Sequence, residues 1–217
     1  MPSSASHHTN KFIHGLYVIT DTKLMNEENI IAKVSQALKG GAKIVQYRDK
    51  VNSKQTKLKL ATQLQQLCKS YQAWFIVNND IHLAKEVNAD GVHIGKDDDD
   101  IYKARQLLGD NAIIGVSCYN DLNRALQMQD LGANYVAFGR FFNSKTKPNA
   151  PQAALTTLHQ AKQSLHIPIV AIGGVTADNA QSLIDSGADS VAVIQGVFAA
   201  KDIQAESQKI QNLFPKT

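Results

Sequence analysis

Short apolar runs rich in valine and isoleucine recur at regular intervals along the chain. Each run is continuous instead of alternating with polar residues, which is typical of strands that are covered on both faces in a parallel sheet. The pattern predicts eight strands, at residues 15–20, 43–46, 74–77, 91–94, 113–116, 135–138, 169–172 and 191–194.

Between these runs the apolar residues fall at helical spacing. In the first such segment, Ile30, Ile31, Val34 and Leu38 would share one face of a helix. The same spacing predicts helices at residues 27–38, 53–70, 81–87, 101–108, 122–131, 152–165, 177–185 and 200–213. Strands and helices are therefore expected to alternate along the whole chain.

A weak internal repeat favours a closed barrel over an open doubly wound sheet. The segments 41–45, 88–92, 132–136 and 187–191 each begin with Gly or Asn followed by Ala, and each leads into an even-numbered strand. Gly or Asn there can adopt the left-handed conformation that ends a helix. No G-x-G-x-x-G motif follows any strand, which argues against a dinucleotide site. We predict a single (β/α)8 TIM barrel at residues 15–217 as the catalytic domain, after a flexible N-terminal tail at residues 1–14.

Composition and charge narrow the class of protein. Of the 217 residues, 23 are Lys or Arg and 19 are Asp or Glu, and the excess of positive charge is scattered. Such a distribution suits small anionic ligands and predicts neither nucleic-acid nor membrane partners. No apolar run approaches the roughly 18 residues of a membrane span, so we expect a cytoplasmic protein. Cys68 and Cys118 have no C-x-x-C spacing, and we expect both to be reduced.

Polar residues gather where the predicted strands end. In a barrel these positions share one mouth, where such folds carry their chemistry. The residues are Gln46, Arg48 and Lys50 after strand 2, Asn78, Asn79 and Asp80 after strand 3, Lys96 and Asp97 to Asp100 after strand 4, Ser117 after strand 5, the loop 140–147 after strand 6, Gly173 and Gly174 after strand 7, and Gln195 and Gly196 after strand 8.

Two kinds of anion site are implied by these residue types. Positive side chains and hydroxyls suit the oxygens of a phosphate or pyrophosphate. Asp97 and Asp98 could hold a hard cation such as Mg²⁺ beside it. The glycines after strands 7 and 8, each leading into a helix, suggest a second, monophosphate site. The donors for the first site are Arg48, Lys50, Ser144, Thr146 and Lys147.

Simpler interpretations exist for several of these residues. The aspartates would also suit the solvated start of a helix, and Gly173-Gly174 would suit a plain turn. His93 lies within an apolar strand and is expected to be a core histidine with its hydrogen bonds satisfied rather than a base. Cys118 has no identifiable histidine beside it, so we do not expect a nucleophile.

At the level of motifs, the chain resembles the thiamine-phosphate synthase family from about residue 15 to 198. The matching segments are GLYVITD, QYRDK at 46–50, FIVNND at 75–80, GVHIGKDD at 91–98, GVS at 115–117, SKTK at 144–147 and AIGGVT at 171–176. The resemblance implies an enzyme that joins a hydroxymethylpyrimidine diphosphate to a thiazole phosphate. Its products would be thiamine phosphate and pyrophosphate, with Mg²⁺ as cofactor.

The resemblance also assigns roles by position. Gln46 would contact the pyrimidine, and Asp98 would bind the metal. The diphosphate clamp would consist of Arg48, Lys50, Asn78, Ser117 and Lys147. The thiazole half would meet Ser144 and Thr146, and its phosphate would meet Gly173, Gly174 and the backbone at Ile194 and Gln195.

Two positions depart from the family pattern. Asn79 stands where the family usually has a metal-binding aspartate, so we expect weaker metal affinity unless Asp80 or Asp97 compensates. Gln195 stands where Ser is common, but its backbone is the expected contact.

Two alternative functions and one expected oligomeric state accompany this prediction. The thiazole tautomerase, an isomerase on the same barrel, is the nearest rival, and a non-catalytic protein that binds thiamine phosphate is another. Gln46, Arg48, Lys50 and Lys147 favour the synthase, because a tautomerase expels no pyrophosphate. A homodimer is expected by analogy alone.

Overall fold

The strands close into one parallel barrel. The computed structural model describes residues 13–95, 101–143 and 152–215, and in it the strands are hydrogen-bonded in the order β1 to β8, with β8 pairing β1. The predicted TIM barrel is therefore confirmed. The strands are β1 (Gly15–Ile19), β2 (Ile44–Tyr47), β3 (Trp74–Asn78), β4 (Gly91–Ile94), β5 (Ile113–Tyr119), β6 (Tyr135–Phe138), β7 (Ile169–Ile172) and β8 (Ser190–Val193).

Helices surround the barrel, and several begin with a side-chain cap. Ser53, Asp80, Asp121 and Asp202 each accept a hydrogen bond from a backbone N–H of the first turn, which satisfies one of the donors left open there. The helices are α1 (Ile30–Lys39), α2 (Lys54–Ser70), α3 (Ile81–Glu86), α4 (Ile101–Leu108), α5 (Leu122–Asp130), α6 (Leu155–Ser164), α7 (Ala180–Asp185), α8 (Gln195–Phe198) and α9 (Ile203–Gln211).

The predicted left-handed residues of the internal repeat are present. Gly41, Asn88, Gly132 and Gly187 have positive φ angles of 97°, 50°, 91° and 110°. Each follows a helix and lets the chain reverse toward the next strand, as Gly and Asn do with the least steric cost. The repeat is thus a physical requirement of the turn at the bottom of the barrel.

Apolar residues pack in two layers. One layer lies between the strands and the helices and includes Val45, Val77 and Val136. The other fills the barrel interior and includes Ile13, Tyr17, Ile44 and Tyr135. Because successive strand residues point to opposite sides, both layers draw on the same short runs, which is why those runs are continuously apolar.

Two helix predictions after the later strands need correction. The helix after β7 begins at Ala180, not near Thr176, because Thr176 to Asn179 form a turn in which the Asn179 side chain accepts from the Thr176 N–H. Gln195 and Gly196 do not lead directly into the last helix but open the four-residue helix α8. Over the residues described, no helix has the length and apolar character needed to cross a membrane.

Candidate active site

A cavity of about 250 Å³ opens at the carboxyl ends of the strands. Several predicted residues from five different strand ends meet there, as the barrel geometry requires. The predicted residues that line it are Gln46, Arg48, Asn78, Ser117, Gly173, Gly174, Ile194 and Gln195.

An adjacent pocket lies behind the ends of β2 and β3. Lys50 and Asn79 line it, and Asn78 lines both this pocket and the main cavity. Lys50 and Asn79 therefore lie farther from the barrel interior than Arg48 and Gln46 do. The remaining predicted residues, Lys96, Asp97, Asp98, Ser144, Thr146 and Lys147, lie outside the described residues, as do Asp99 and Asp100.

Arg48 is held by the end of the neighbouring strand. The Thr20 hydroxyl accepts a hydrogen bond from the Arg48 N–H at 2.8 Å and donates one to the Arg48 carbonyl at 3.2 Å. Because both backbone groups of Arg48 are fixed, its half-buried side chain starts from a defined position at the rim of the cavity.

Asp49 organises the loop that follows Arg48. Its carboxylate accepts hydrogen bonds from the backbone of Val51 and Asn52 and from the side chains of Asn52 and Tyr47. Burial acts to raise the pKa of Asp49, but these hydrogen bonds together lower the pKa below its ordinary value. Burial and the neighbouring Asp49 carboxylate raise the pKa of Tyr47. The loop carrying Lys50 is thus built around an ionised carboxylate.

The end of β3 presents two adjacent amides in unlike conformations. Asn78 is the last residue of the strand, whereas Asn79 has a φ of 64°, a left-handed conformation that Asn tolerates better than most residues. The Asn79 N–H donates to the His93 carbonyl at 2.9 Å. The Asp80 carboxylate is engaged in local structure, because it accepts a hydrogen bond from the Leu83 N–H as the cap of α3.

The glycines after β7 are required by close packing. Gly173 and Gly174 have φ angles of 107° and 68°. A Cβ atom on Gly173 would collide with Arg140, and one on Gly174 would collide with the Asn143 carbonyl. The pair lets the ends of β6 and β7 approach one another and leaves exposed backbone beside the cavity. Beside this pair, at the end of the neighbouring strand β8, the first N–H groups of α8 have no partner within the helix, as at any helix start.

A continuous polar chain crosses the barrel interior beneath the cavity. Gln46 Nε2 donates to the Tyr17 hydroxyl at 2.8 Å, and the Tyr17 and Tyr135 hydroxyls are 2.8 Å apart. His93 Nδ1 lies 2.9 Å from the Tyr135 hydroxyl, and its Nε2 lies 2.9 Å from Ser117 Oγ. Burial raises the pKa of both tyrosines, so both stay protonated.

The sequence did not predict most of this hydrogen-bonded network of side chains. Tyr17 and Tyr135 lie inside apolar runs and carry no motif of their own, and His93 was expected to be a core residue. His93 is indeed 8% exposed with both ring nitrogens hydrogen-bonded, but it also lines the cavity. The only sequence signal was the position of three polar-tipped rings on inward-facing strand positions.

Neither cysteine can act at this site. Cys68 and Cys118 are both buried in the layer between the strands and the helices. Burial raises the pKa of each thiol to about 12. The geometry thus agrees with the expectation that Cys118 is not a nucleophile.

The described residues contain no cluster of the side chains that usually bind metals. Within residues 13–95, 101–143 and 152–215, no group of three or more His, Cys, Asp or Glu side chains could hold a metal ion. Mg²⁺ commonly takes only one or two carboxylates, with waters and substrate phosphate completing its shell. Among the described residues, the amide oxygen of Asn79 is of a type that suits such a shell, whereas the aspartates at 97–100 lie outside them.

Fold and site together define a (β/α)8 barrel with a cavity at its mouth, lined by arginine, amide and hydroxyl side chains, and glycine backbone. Residues 16–197 match the thiamine monophosphate synthase family. The chain belongs to this family, so the predicted fold, transferase class and function, that of a thiamine-phosphate synthase, are confirmed.

Individual relatives agree with this assignment. The chain is 49% identical over 203 residues to the thiamine-phosphate synthase of Nitrosococcus oceani, covering 94% of each chain. It is 53% identical over 193 residues to that of Alcanivorax borkumensis, covering 89% of each. The thiamine phosphate pyrophosphorylase structure from Pyrococcus furiosus superposes with a TM-score of 0.84 at 35% identity, covering 92% of this chain and 94% of that one.

Proposed function

We propose that this enzyme joins a hydroxymethylpyrimidine diphosphate to a thiazole phosphate, with Mg²⁺, and releases pyrophosphate. The observation that carries the proposal is the convergence of Gln46, Arg48, Asn78 and Ser117 on one cavity that also reaches Gly174. Residues from distant parts of the chain thereby offer a ring contact, an anion clamp and a second anion site within one space.

The diphosphate is proposed to lie between the ends of β2, β3 and β5. Arg48 supplies a fork of N–H donors, and Asn78 and Ser117 supply neutral donors. Lys50 stands behind Asn78 in the adjacent pocket, and Lys147 would close the clamp from the β6–α6 loop. The pyrimidine would sit deeper, over Gln46 and the apolar lining of the barrel.

The thiazole phosphate is proposed to lie at the other side of the mouth. Gly173 and Gly174 carry no side chain to obstruct it, and the first N–H groups of α8, at Gln195 and Gly196, are available there. Because the contact at Gln195 is with the backbone, replacing the family's usual Ser by Gln leaves it intact. Ser144 and Thr146 would meet the thiazole ring.

A bound Mg²⁺ would be held by Asp98 and by the Asn79 amide. Its chemical contribution would be to neutralise charge on the diphosphate as that group departs. Asn79 brings an oxygen without a negative charge, so we expect this enzyme to need more Mg²⁺ than relatives with Asp at this position.

The chain's own residues would favour departure of pyrophosphate. Negative charge grows on the leaving group as its bond to the pyrimidine's carbon breaks, and fixed donors such as Arg48 and Ser117 stabilise that charge more in the transition state than before it. The anchored thiazole nitrogen, held close, then captures the carbon. No protein nucleophile is needed.

One experiment separates the synthase from its two rivals. Purified protein is mixed with both substrates and Mg²⁺, and pyrophosphate and thiamine phosphate are measured, with each substrate omitted in turn as a control. The proposal predicts both products in equal amounts only in the complete mixture. A tautomerase or a binding protein would release no pyrophosphate.

Two further proposals concern assembly and location: a homodimer, by analogy with the family alone, and a cytoplasmic location. A homodimer is tested by light scattering of the purified protein, which would give twice the monomer mass of 23.7 kDa. Cytoplasmic location is tested by cell fractionation.

A further inference from the structure

We propose that the polar chain beneath the cavity has a single direction, and that it makes His93 a positioning residue which aims the Ser117 hydroxyl proton at the diphosphate. The inference deepens the proposed function and rests on it for the identity of the ligand. The direction of the chain itself rests only on the hydrogen bonds between side chains.

The chain joins five strands across the barrel. Gln46 on β2, Tyr17 on β1, Tyr135 on β6, His93 on β4 and Ser117 on β5 follow one another at separations of 2.8, 2.8, 2.9 and 2.9 Å. All five residues border the cavity, but Tyr17 and Tyr135 are only 1% and 0% exposed. The two tyrosine hydroxyls are therefore shielded from bulk water and must satisfy each other and their neighbours.

Proton counting sets the direction. Each tyrosine has one proton to donate. Tyr17 accepts from Gln46 Nε2, so its own proton goes to its other partner, the Tyr135 hydroxyl. Tyr135 has then accepted one proton and donates its own to His93 Nδ1. His93 Nδ1 must consequently carry no proton, and the neutral ring has its proton on Nε2.

This tautomer determines what Ser117 can do. His93 Nε2–H donates to Ser117 Oγ, which uses a lone pair of that oxygen. The Ser117 proton is then directed away from His93, and Ser117 lies on the wall of the cavity. An anion in the cavity thus meets a hydroxyl already oriented to donate, which is the arrangement that favours charge development without reorganisation.

The other end of the chain is oriented by the same rule. One Nε2 proton of Gln46 goes to Tyr17, so the carbonyl oxygen and the second Nε2 proton of this 3% exposed residue are left for a ligand. The site therefore offers an acceptor and a donor to the pyrimidine, and a further donor to the diphosphate. A ring that carries both an N–H group and an acceptor nitrogen, such as an aminopyrimidine, is the class that matches it.

Tight packing holds the side chains of this hydrogen-bonded network in position. The His93 and Tyr135 rings stack with centroids 5.6 Å apart, and the Tyr17 and Tyr135 rings meet edge to face at 6.1 Å. A Cβ atom on Gly115 would overlap the Tyr135 ring. Glycine in the GVS segment is therefore what lets the Tyr135 hydroxyl reach the middle of the barrel.

The first test measures the tautomer directly. The full-length protein is labelled with ¹⁵N-histidine, and the ring nitrogen shifts are recorded without substrates at neutral pH, with the His93 signals identified by their loss in His93→Gln. We expect a protonated Nε2 and an unprotonated Nδ1. A ring protonated on Nδ1, which requires the chain to run the other way, or on both nitrogens would overturn the proposal.

The second test asks whether His93 acts through Ser117. In His93→Gln the side-chain amide can still donate near the Nε2 position, whereas in His93→Asn the shorter amide can accept from Tyr135 but not reach Ser117. We expect His93→Asn to lower kcat by roughly tenfold, less than the roughly hundredfold or more lost with a direct donor, with little change in the KM for the pyrimidine diphosphate. His93→Gln should recover most of the rate.

A double variant completes the test. If His93 works by orienting Ser117, then His93→Asn added to Ser117→Ala should lower kcat no further. Full additivity of the two losses, with both variants folded by circular dichroism, would show that His93 does not act through Ser117. If the wild-type protein releases no pyrophosphate, the proposed function fails, while the ¹⁵N measurement still decides the direction of the chain.

Discussion

At the scale of single residues, Asn79 is the position that we expect to affect metal binding most clearly. Its amide stands where a carboxylate is usual in the family, and its left-handed backbone fixes it at the end of β3 with its N–H on the His93 carbonyl. Asp80 is engaged as the cap of α3. Asp49 and Asp80, the carboxylates that line the same pocket as Asn79, are thus both engaged in local structure, and we expect residue 79 to affect the charge offered to a cation there.

Asn79→Asp is expected to lower the Mg²⁺ concentration needed for half-maximal activity, because a carboxylate adds charge to the metal's shell. Aspartate tolerates the same left-handed backbone. The measurement is a Mg²⁺ titration of pyrophosphate release. Asn88→Asp is the matched control, since Asn88 is also left-handed, with a φ of 50°, but is exposed at the other end of the barrel. An unchanged titration in Asn79→Asp would place residue 79 outside the metal's shell.

Among the elements, the loop after β2 depends on one ionised side chain. Asp49 gathers the Val51 and Asn52 N–H groups, and the chain that carries Arg48 and Lys50 runs on either side of it. The loop is therefore a folded unit stabilised by charge-assisted hydrogen bonds rather than by apolar packing.

Loss of this charge should destabilise the protein at acid pH. The pKa of Asp49 is lowered in the folded state, so its contribution is complete above the unfolded pKa of about 3.9 and disappears as the pH falls through the lower, folded pKa. We expect Asp49→Asn to reduce the free energy of unfolding at pH 6 and to reduce its decrease between pH 6 and pH 2.5. Urea unfolding at both pH values measures this.

The exposed Asp178 supplies a matched control for that prediction. Asp178→Asn should leave the free energy of unfolding at pH 6 within about 0.5 kcal/mol of the wild type, as is usual for surface substitutions. If Asp49→Asn behaves in the same way, Asp49 does not stabilise the loop.

Across the whole barrel, the strands were easier to predict from the sequence than the helix boundaries. The strands were predictable because both faces of each are covered, which makes the run at Ile169–Ile172 wholly apolar. The helix α8 was missed because four residues form barely one turn, which is too short for apolar residues to repeat at helical spacing. Its neighbour α7 begins later than predicted because the Asn179 side chain stabilises a turn first.

The site was predictable only in part, for a different reason. Residues at or near the carboxyl ends of strands can be assigned to the mouth by topology alone. Arg48 follows β2, and Ser117, predicted to follow its strand, lies within the last three residues of β5. Tyr17 and Tyr135 meet through their hydroxyls across the barrel although they are 118 positions apart. Nothing in the local pattern distinguishes these tyrosines from core aromatics, since their partner is set by barrel closure.

The two buried cysteines provide a test of the packing between the strands and the helices. Cys68 on α2 and Cys118 on β5 are both fully buried, and the pKa of each is raised to about 12. We expect neither thiol to react with a thiol reagent at pH 7 in the native protein, and both to react after denaturation. Rapid native labelling would contradict the packing of the layer between strands and helices.

Positive side chains at one rim are proposed to stabilise the departing pyrophosphate, and Lys147→Ala removes one of them. Pyrophosphate release is measured at saturating substrates and Mg²⁺, with Lys69→Ala, on the exposed end of α2, as the control. We predict that kcat falls roughly tenfold to a thousandfold in Lys147→Ala alone, because a strong donor to the transition state is lost. A kcat equal to that of the wild type would contradict it.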